Sequence, residues 1–155
     1  MTKEQIIAKL VEMNITLSTA ESCTGGSLGK LITSVPGVSS IYGYGFITYA
    51  NEAKEKILGV SHETLEKYGA VSSETALQMA LGARRVSGSD IAVSVTGIAG
   101  PGGGTAEKPV GLVYIAIADE NGAEYRKLNL SGDRDEVRAK TCDQVFALIK
   151  EKLNF

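Results

Sequence analysis

The sequence predicts an α/β fold, a three-layer α/β/α sandwich with a mostly parallel but mixed sheet. Three observations carry this. Helical and strand patterns alternate along most of the chain. Two segments, "DIAVSVTG" (90–97) and "GLVYIAIAD" (111–119), are apolar on both faces, as the central strands of a covered sheet are. After them the hairpin-type "ENG" leads into "EYRKLNL", whose alternation of polar and apolar residues adds an antiparallel, half-exposed edge.

The elements follow in order. Residues 3–13 carry Ile6, Ile7, Leu10 and Val11 on one helical face. A strand is expected at about 15–20 and a helix at about 24–34, before the Pro-Gly turn in "SVPGVSS". "IYGYGFITY" (41–49) reads as a strand with Tyr42, Tyr44, Phe46 and Thr48 on one side. Gly43 and Gly45 lie on the other, marking either the close approach of a backbone or ligand, or a bulge or tight helix packing. "NEAKEKILGV" is a short helix capped by Asn51 and ended by Gly59. A further helix spans about 62–68, with Ser61 as its cap. Ser72 or Ser73 opens the buried, Ala-rich "ETALQMALGARRV". The last helix starts at Asp133 with Glu136 as capping-box partner, and its core stripe is Val137, Thr141, Val145, Leu148 and Ile149. No repeat or linker interrupts the chain, which reads as one domain.

Composition narrows the function. The chain has 155 residues, 43% hydrophobic and 22% charged, with a formal net charge of −2. That suits a globular domain and gives no reason to expect nucleic acid or an anionic membrane as partner. No apolar run approaches the ~20 residues of a membrane span, and the N-terminus shows no signal-peptide core, so a cytoplasmic protein is expected. Cys23, Cys142 and His62 are the only Cys and His residues, without CxxC or HxxxH spacing. A zinc site is not expected, nor is a cofactor. His62 falls in a first helical turn and reads as a surface histidine.

The chemistry concentrates in "TAESCTGG" (19–26), where a strand gives way to a helix. Ser22 there is either a nucleophile or, like Thr24, a helix cap. Backbone N–H groups from Cys23 through Gly26 would offer an oxyanion hole, and Gly25 and Gly26 would let a substrate approach. Cys23 is a rival nucleophile, but neighbouring residues diverge, and a Ser22 facing a site turns Cys23 inward. Lys54 lies in the first turn of a helix, where the dipole disfavours a cation and lowers an amine's pKa. That suits a base, whereas Lys56 reads as solvated. Tyr49, just before this helix, either holds that amine or the leaving amide, or is a core tyrosine with a wet tip.

"GIAGPGGG" follows a central strand and is either a phosphate-wrapping loop or a mobile surface loop. It lacks the Lys-Ser/Thr of a P-loop and the helix of a dinucleotide fingerprint. Arg134 and Arg138, four apart on the last helix, either meet an anionic ligand or are satisfied by Asp133, Asp135 and Glu136.

"AESCTGG", "GFITYANEAKEKILGV", "GAVSSETALQMALGA", "SVTGIAGPGGGTAEKPVG" and "SGDRDEVR" occur in this order over nearly the whole chain. In this the sequence resembles the CinA C-terminal-domain family, in its stand-alone form, whose enzymatic members are nicotinamide-nucleotide amidohydrolases. The resemblance implies a three-layer fold, a homo-oligomer, and hydrolysis of nicotinamide mononucleotide to nicotinic acid mononucleotide and ammonia. It implies a Ser22–Lys54 dyad with Tyr49 as the motif tyrosine, and the Gly-rich loop in the nucleotide site. The expected substrate contacts are Thr24, Gly25, Gly26, Asn51, Thr96, Gly97, Ile98, Ala99, Gly100, Arg134 and Arg138.

Overall fold

The structure, a computed structural model, describes residues 1–155. The helices are α1 (Lys3–Glu12), α2 (Ser27–Thr33), α3 (Asn51–Leu58), α4 (His62–Tyr68), α5 (Ser73–Ser87) and α6 (Arg134–Leu153). The strands are β1 (Leu17–Glu21), β2 (Tyr44–Ile47), β3 (Ile91–Gly97), β4 (Leu112–Asp119) and β5 (Gly122–Asn129). They form one sheet of order β2-β1-β3-β4-β5. β1 pairs in parallel with β2 and β3, while β3–β4 and β4–β5 are antiparallel. Parallel and antiparallel pairs are thus equal in number. The β3–β4 link returns the chain antiparallel instead of crossing over the sheet.

Side-chain alternation divides the sheet into two unlike faces. Leu17, Ile91, Val93, Val95, Val113, Ile115 and Ile117 point to one side and pack with α1, α2 and α6. The large side chains there set those helices back from the strands. Ala20, Ala92, Ala116 and Ala118 point to the other, where α5 and α3 supply Leu58, Ala76, Met79, Ala80 and Ala83. Small residues on both partners let α5 lie close against the strands. The core stripe expected on α6 is buried throughout. Both Ser72 and the Asp133–Glu136 capping box close their helix ends as anticipated.

Besides shifts of one or two residues at element ends, such as β1 at Leu17–Glu21, three departures from the sequence reading stand out. Helix α2 starts at Ser27 rather than 24, because Gly25 (φ 58°) and Gly26 (φ 105°) adopt left-handed conformations that no α-helix continues through. Ala50, not Asn51, is the N-cap of α3, and Asn51 is its first helical residue, exposed to solvent. The strand expected at 41–49 shortens to Tyr44–Ile47. Tyr42 stays with the preceding turn, its N–H on the Val38 carbonyl, and packs on the face opposite Phe46. Its hydroxyl meets Thr19 Oγ1 at 2.6 Å and passes so close over Gly45 that a Cβ there would collide with it. Gly45 therefore answers to side-chain packing, whereas Gly43 falls outside the strand, with open space where a Cβ would stand.

This topology prepares a crevice. The connection leaving β1 carries α2 on one face, and the connection entering β3 carries α3 to α5 on the other. The carboxyl ends of β1 and β3 lie side by side where chain directions diverge, the place where open α/β sheets take ligands.

Candidate active site

The alternation of β1 decides where its last residues point. Leu17, Thr19 and Glu21 face the α2 side, so Ser22, one step beyond, faces α3. Its N–H extends the sheet by donating to the Val95 carbonyl at 3.0 Å. Cys23 turns back into the core with α1, α2 and α6. Burial pushes its thiol pKa up to about 11, with nearby Arg138 opposing. It is therefore a protonated thiol near neutrality, and a poor nucleophile.

Lys54 comes from the first turn of α3 and is 1% exposed, the largest of the fully buried side chains. Its Nζ lies 3.1 Å from Ser22 Oγ, 2.8 Å from the Thr48 carbonyl and 3.3 Å from the Tyr49 carbonyl. No carboxylate pairs with it, and desolvation lowers its pKa from the usual lysine value. A neutral amine has two N–H donors and one lone pair. The two carbonyls take the donors, which leaves the lone pair for the Ser22 hydroxyl proton. The serine is thus aligned with a desolvated base.

Glu21, buried at the end of β1, fixes the turn after Ser22. Its carboxylate accepts from the N–H groups of Gly26 (3.2 Å), Leu28 (2.9 Å) and Gly29 (3.0 Å). The N–H of Gly25 meanwhile donates to the Ser22 carbonyl. This corrects the expectation that all N–H groups from Cys23 to Gly26 stand unpaired. Only those of Cys23 and Thr24 carry no hydrogen bond within the chain. Gly26, the N-cap of α2, has no side chain to close the helix, and the Glu21 carboxylate takes that part.

A cavity of about 260 Å³ opens over the pair. Ser22, Tyr49, Lys54, Thr96, Gly97, Ile98, Ala99, Gly100 and Arg134 all line it. Cys23, Ala70, Val71, Gly102 and Gly103, which the sequence did not single out as contacts, complete the wall. Ala70 and Val71 belong to the α4–α5 connection, held by a 2.7 Å bond from Thr96 Oγ1 to the Ala70 carbonyl. Thr24, Gly25, Gly26, Asn51 and Arg138 stand outside the wall. Thr24 is buried with its hydroxyl unpartnered, and Arg138 Nε donates to the Cys23 carbonyl at 2.8 Å.

The Gly-rich loop is tied at its base by Ile98 and Gly111, through bonds Ile98 N–H to the Leu112 carbonyl and Gly111 N–H to the Ile98 carbonyl. The N–H groups of Ala99, Gly100, Gly102 and Gly103 remain unengaged along the cavity. Neither Arg134 nor Arg138 pairs with Asp133, Asp135 or Glu136. Arg134 donates to the Gly100 carbonyl (2.7 Å) and the Tyr49 hydroxyl (3.0 Å), which leaves three of its five N–H donors free beside the cavity. The Tyr49 hydroxyl thus meets Arg134, and only its backbone carbonyl meets Lys54. His62 sits on the surface between Glu55 and Glu66. No group of three His, Cys, Asp or Glu side chains is placed to hold a metal, and no helix is long and apolar enough to cross a membrane.

The sequence model of the CinA C-terminal domain matches residues 1–153. The chain belongs to the CinA C-terminal-domain family. A CinA-like protein of Geotalea uraniireducens is 50% identical over 153 residues, which are 98% of this chain and 36% of that one. This chain spans little more than a third of the length of the curated relatives it matches. Among solved structures, the competence/damage inducible protein CihA from Agrobacterium tumefaciens superposes with a TM-score of 0.92 at 43% identity, over 99% of this chain and 96% of that one. A CinA superfamily protein from Klebsiella pneumoniae gives 0.93 at 32% identity, over 99% of each chain. The CinA fold is thus the fold of this chain.

Proposed function

We propose that the chain is a metal-independent Ser-Lys amidohydrolase that converts nicotinamide mononucleotide to nicotinic acid mononucleotide and ammonia. The observation that carries the reading is the 3.1 Å contact between Ser22 Oγ and a buried, unpaired Lys54 at the floor of a cavity. Ser22 Oγ attacks the carboxamide carbon as its proton passes to Lys54 Nζ. The oxyanion turns to N–H groups of the loop after Ser22. Lys54 returns the proton to the departing nitrogen, ammonia leaves, and an ester on Ser22 remains. Water then attacks the ester while Lys54 takes its proton and passes it to Ser22 Oγ, releasing the carboxylate. The apolar wall of Ala70, Val71 and Ile98 suits a flat ring. The unengaged loop N–H groups and Arg134 suit a phosphate.

Ammonia release over a panel of small amides, with binding measured in parallel by calorimetry, tests the reading. Turnover of nicotinamide mononucleotide above the others supports it. Binding without turnover makes the chain a silent nucleotide-binding module, and preference for another amide makes it a general amidase. EDTA leaves the rate unchanged. Loss of activity in EDTA, restored by a divalent cation, rules the mechanism out.

The phosphate supplies a second expected result. Charge-assisted hydrogen bonds contribute roughly 1.5–3 kcal/mol each, and two of them would position the remote amide at Ser22. Nicotinamide riboside, lacking the phosphate, therefore has a kcat/KM lower by about two to four orders of magnitude. Nicotinamide itself is poorer still. Measuring kcat/KM for all three on one preparation checks this. A riboside cleaved within a few-fold of the mononucleotide takes the loop and Arg134 out of phosphate binding.

A further inference from the structure

We infer that Arg138 is a positioning residue for the oxyanion hole, holding the Cys23–Thr24 peptide so that the Thr24 N–H serves the reaction at Ser22. The inference rests on Ser22 being the nucleophile, as proposed above.

Within residues 22–27 every N–H but two has an acceptor in the chain. Ser22 donates to Val95, Gly25 to Ser22, Gly26 to Glu21 and Ser27 to Thr24. The N–H groups of Cys23 and Thr24 are left over, one and two residues past the nucleophile. The Gly25 N–H closes a turn onto the Ser22 carbonyl, so both free N–H groups belong to the tight turn that carries the nucleophile. The N–H directly after a nucleophile is a recurrent oxyanion donor, and we assign the Thr24 N–H as its partner. A free N–H helps only if it is already aimed, since preorganisation is what makes such donors effective.

Arg138 supplies the aim. Its Nε donates to the Cys23 carbonyl at 2.8 Å. That carbonyl and the Thr24 N–H belong to one planar trans peptide and point in opposite directions. Fixing the carbonyl toward α6 therefore fixes the Thr24 N–H away from it. A cation on the carbonyl oxygen also draws electron density from the peptide, making the N–H a better donor. The loop is shaped around this contact. Arg138 Nη2 lies 3.5 Å from where a Cβ on Gly25 would stand, and Gly25 has φ 58°. Arg138 pairs with no carboxylate, and its Nε is committed to the backbone of the loop and not to the cavity. This separates it from Arg134, one turn earlier on α6, which does line the cavity. Two arginines on one helical face thus divide two tasks, the substrate and the backbone beside the nucleophile.

The test compares wild type, Arg138→Met and Arg138→Lys in two assays, with folding checked by circular dichroism. One assay is steady-state hydrolysis of nicotinamide mononucleotide and nicotinamide riboside. The other is labelling of Ser22 by a small alkyl fluorophosphonate, which needs no natural substrate. There the Ser22 Oγ–P bond forms, the P–F bond breaks, fluoride leaves and Lys54 takes the proton, while the phosphonyl oxygen calls on the same N–H donors. Removing an oxyanion donor costs about 10²–10³ in rate. Misaiming one by Arg138→Met is therefore expected to lower kcat and the labelling rate by about 10- to 100-fold. KM, the mononucleotide-to-riboside ratio and the pKa governing the rate stay unchanged. Arg138→Lys, which keeps a cation with poorer geometry, falls between.

A collapse of the mononucleotide-to-riboside ratio makes Arg138 a phosphate ligand and overturns the inference. So does a folded Arg138→Met whose kcat and labelling rate match wild type. If the methionine variant does not fold, the lysine variant decides alone, and wild-type labelling by it overturns the inference. If wild type is labelled at Ser22 but releases no ammonia from the mononucleotide, the proposed substrate is wrong and labelling still decides the role of Arg138. Absence of label at Ser22 in the wild type removes both.

Discussion

Replacing Ser22 by alanine abolishes ammonia release, a loss of about 10⁴-fold or more, and leaves the fold intact. The expectation follows from geometry. Among the hydroxyls on the cavity wall, Ser22 alone contacts Lys54, at 3.1 Å, while Thr96 donates its hydroxyl proton to the Ala70 carbonyl. Removing the Ser22 Oγ breaks one hydrogen bond, about 1 kcal/mol of stability, and Lys54 keeps both carbonyl partners. Cys23→Ala, in contrast, keeps activity within about tenfold, because a thiol held protonated by burial serves packing. The measurement is initial ammonia release for both variants beside their circular dichroism spectra. An active Ser22→Ala alongside a dead Cys23→Ala reverses the assignment.

Much of this site was legible because strand geometry is periodic. Counting along β1 separates Ser22 from Cys23 without any structure, since adjacent side chains diverge. The order of strands, and so the crevice at the ends of β1 and β3, followed less directly. The apolar patterns of β3 and β4 show that they are central but not which neighbour each pairs with. In sequence the Gly25–Gly26 step reads as the start of a helix, although two consecutive glycines can equally hold positive φ, as they do here. The role of Glu21 is therefore not legible in sequence, because its three N–H bonds follow from α2 beginning at Ser27. Arg134 and Arg138 look equivalent in sequence, four apart on one face. Only the tertiary path of the loops gives one the cavity and the other the Cys23 carbonyl. Ala70 and Val71 have no polar atom in their side chains to mark them, and enter the wall through the path of a connection.

Lys54→Met removes turnover as thoroughly as Ser22→Ala, by about 10⁴-fold, whereas Lys56→Met leaves it unchanged. Lys56 is exposed on the same helix and controls for charge and helix content. The pH dependence carries the finer test. Protonated Lys54 has no lone pair and cannot accept the Ser22 proton, so the rate rises with pH and levels off once the amine is neutral. Burial shifts that midpoint below the ordinary value of 10.5. The same shift appears in stability, with a determined sign. The unfolded chain takes up the lysine proton at 10.5 and the folded one only at the lowered value. As pH falls between the two, the unfolded state binds more protons, and wild type loses stability relative to Lys54→Met. Below the folded pKa both states are protonated, and the difference stays constant. Rate profiles and denaturant unfolding followed from acid pH up to 10.5 give two independent readings of one proton. A rate that shows no rise with pH anywhere in that window, or a midpoint at or above that of a free lysine, excludes Lys54 as the base.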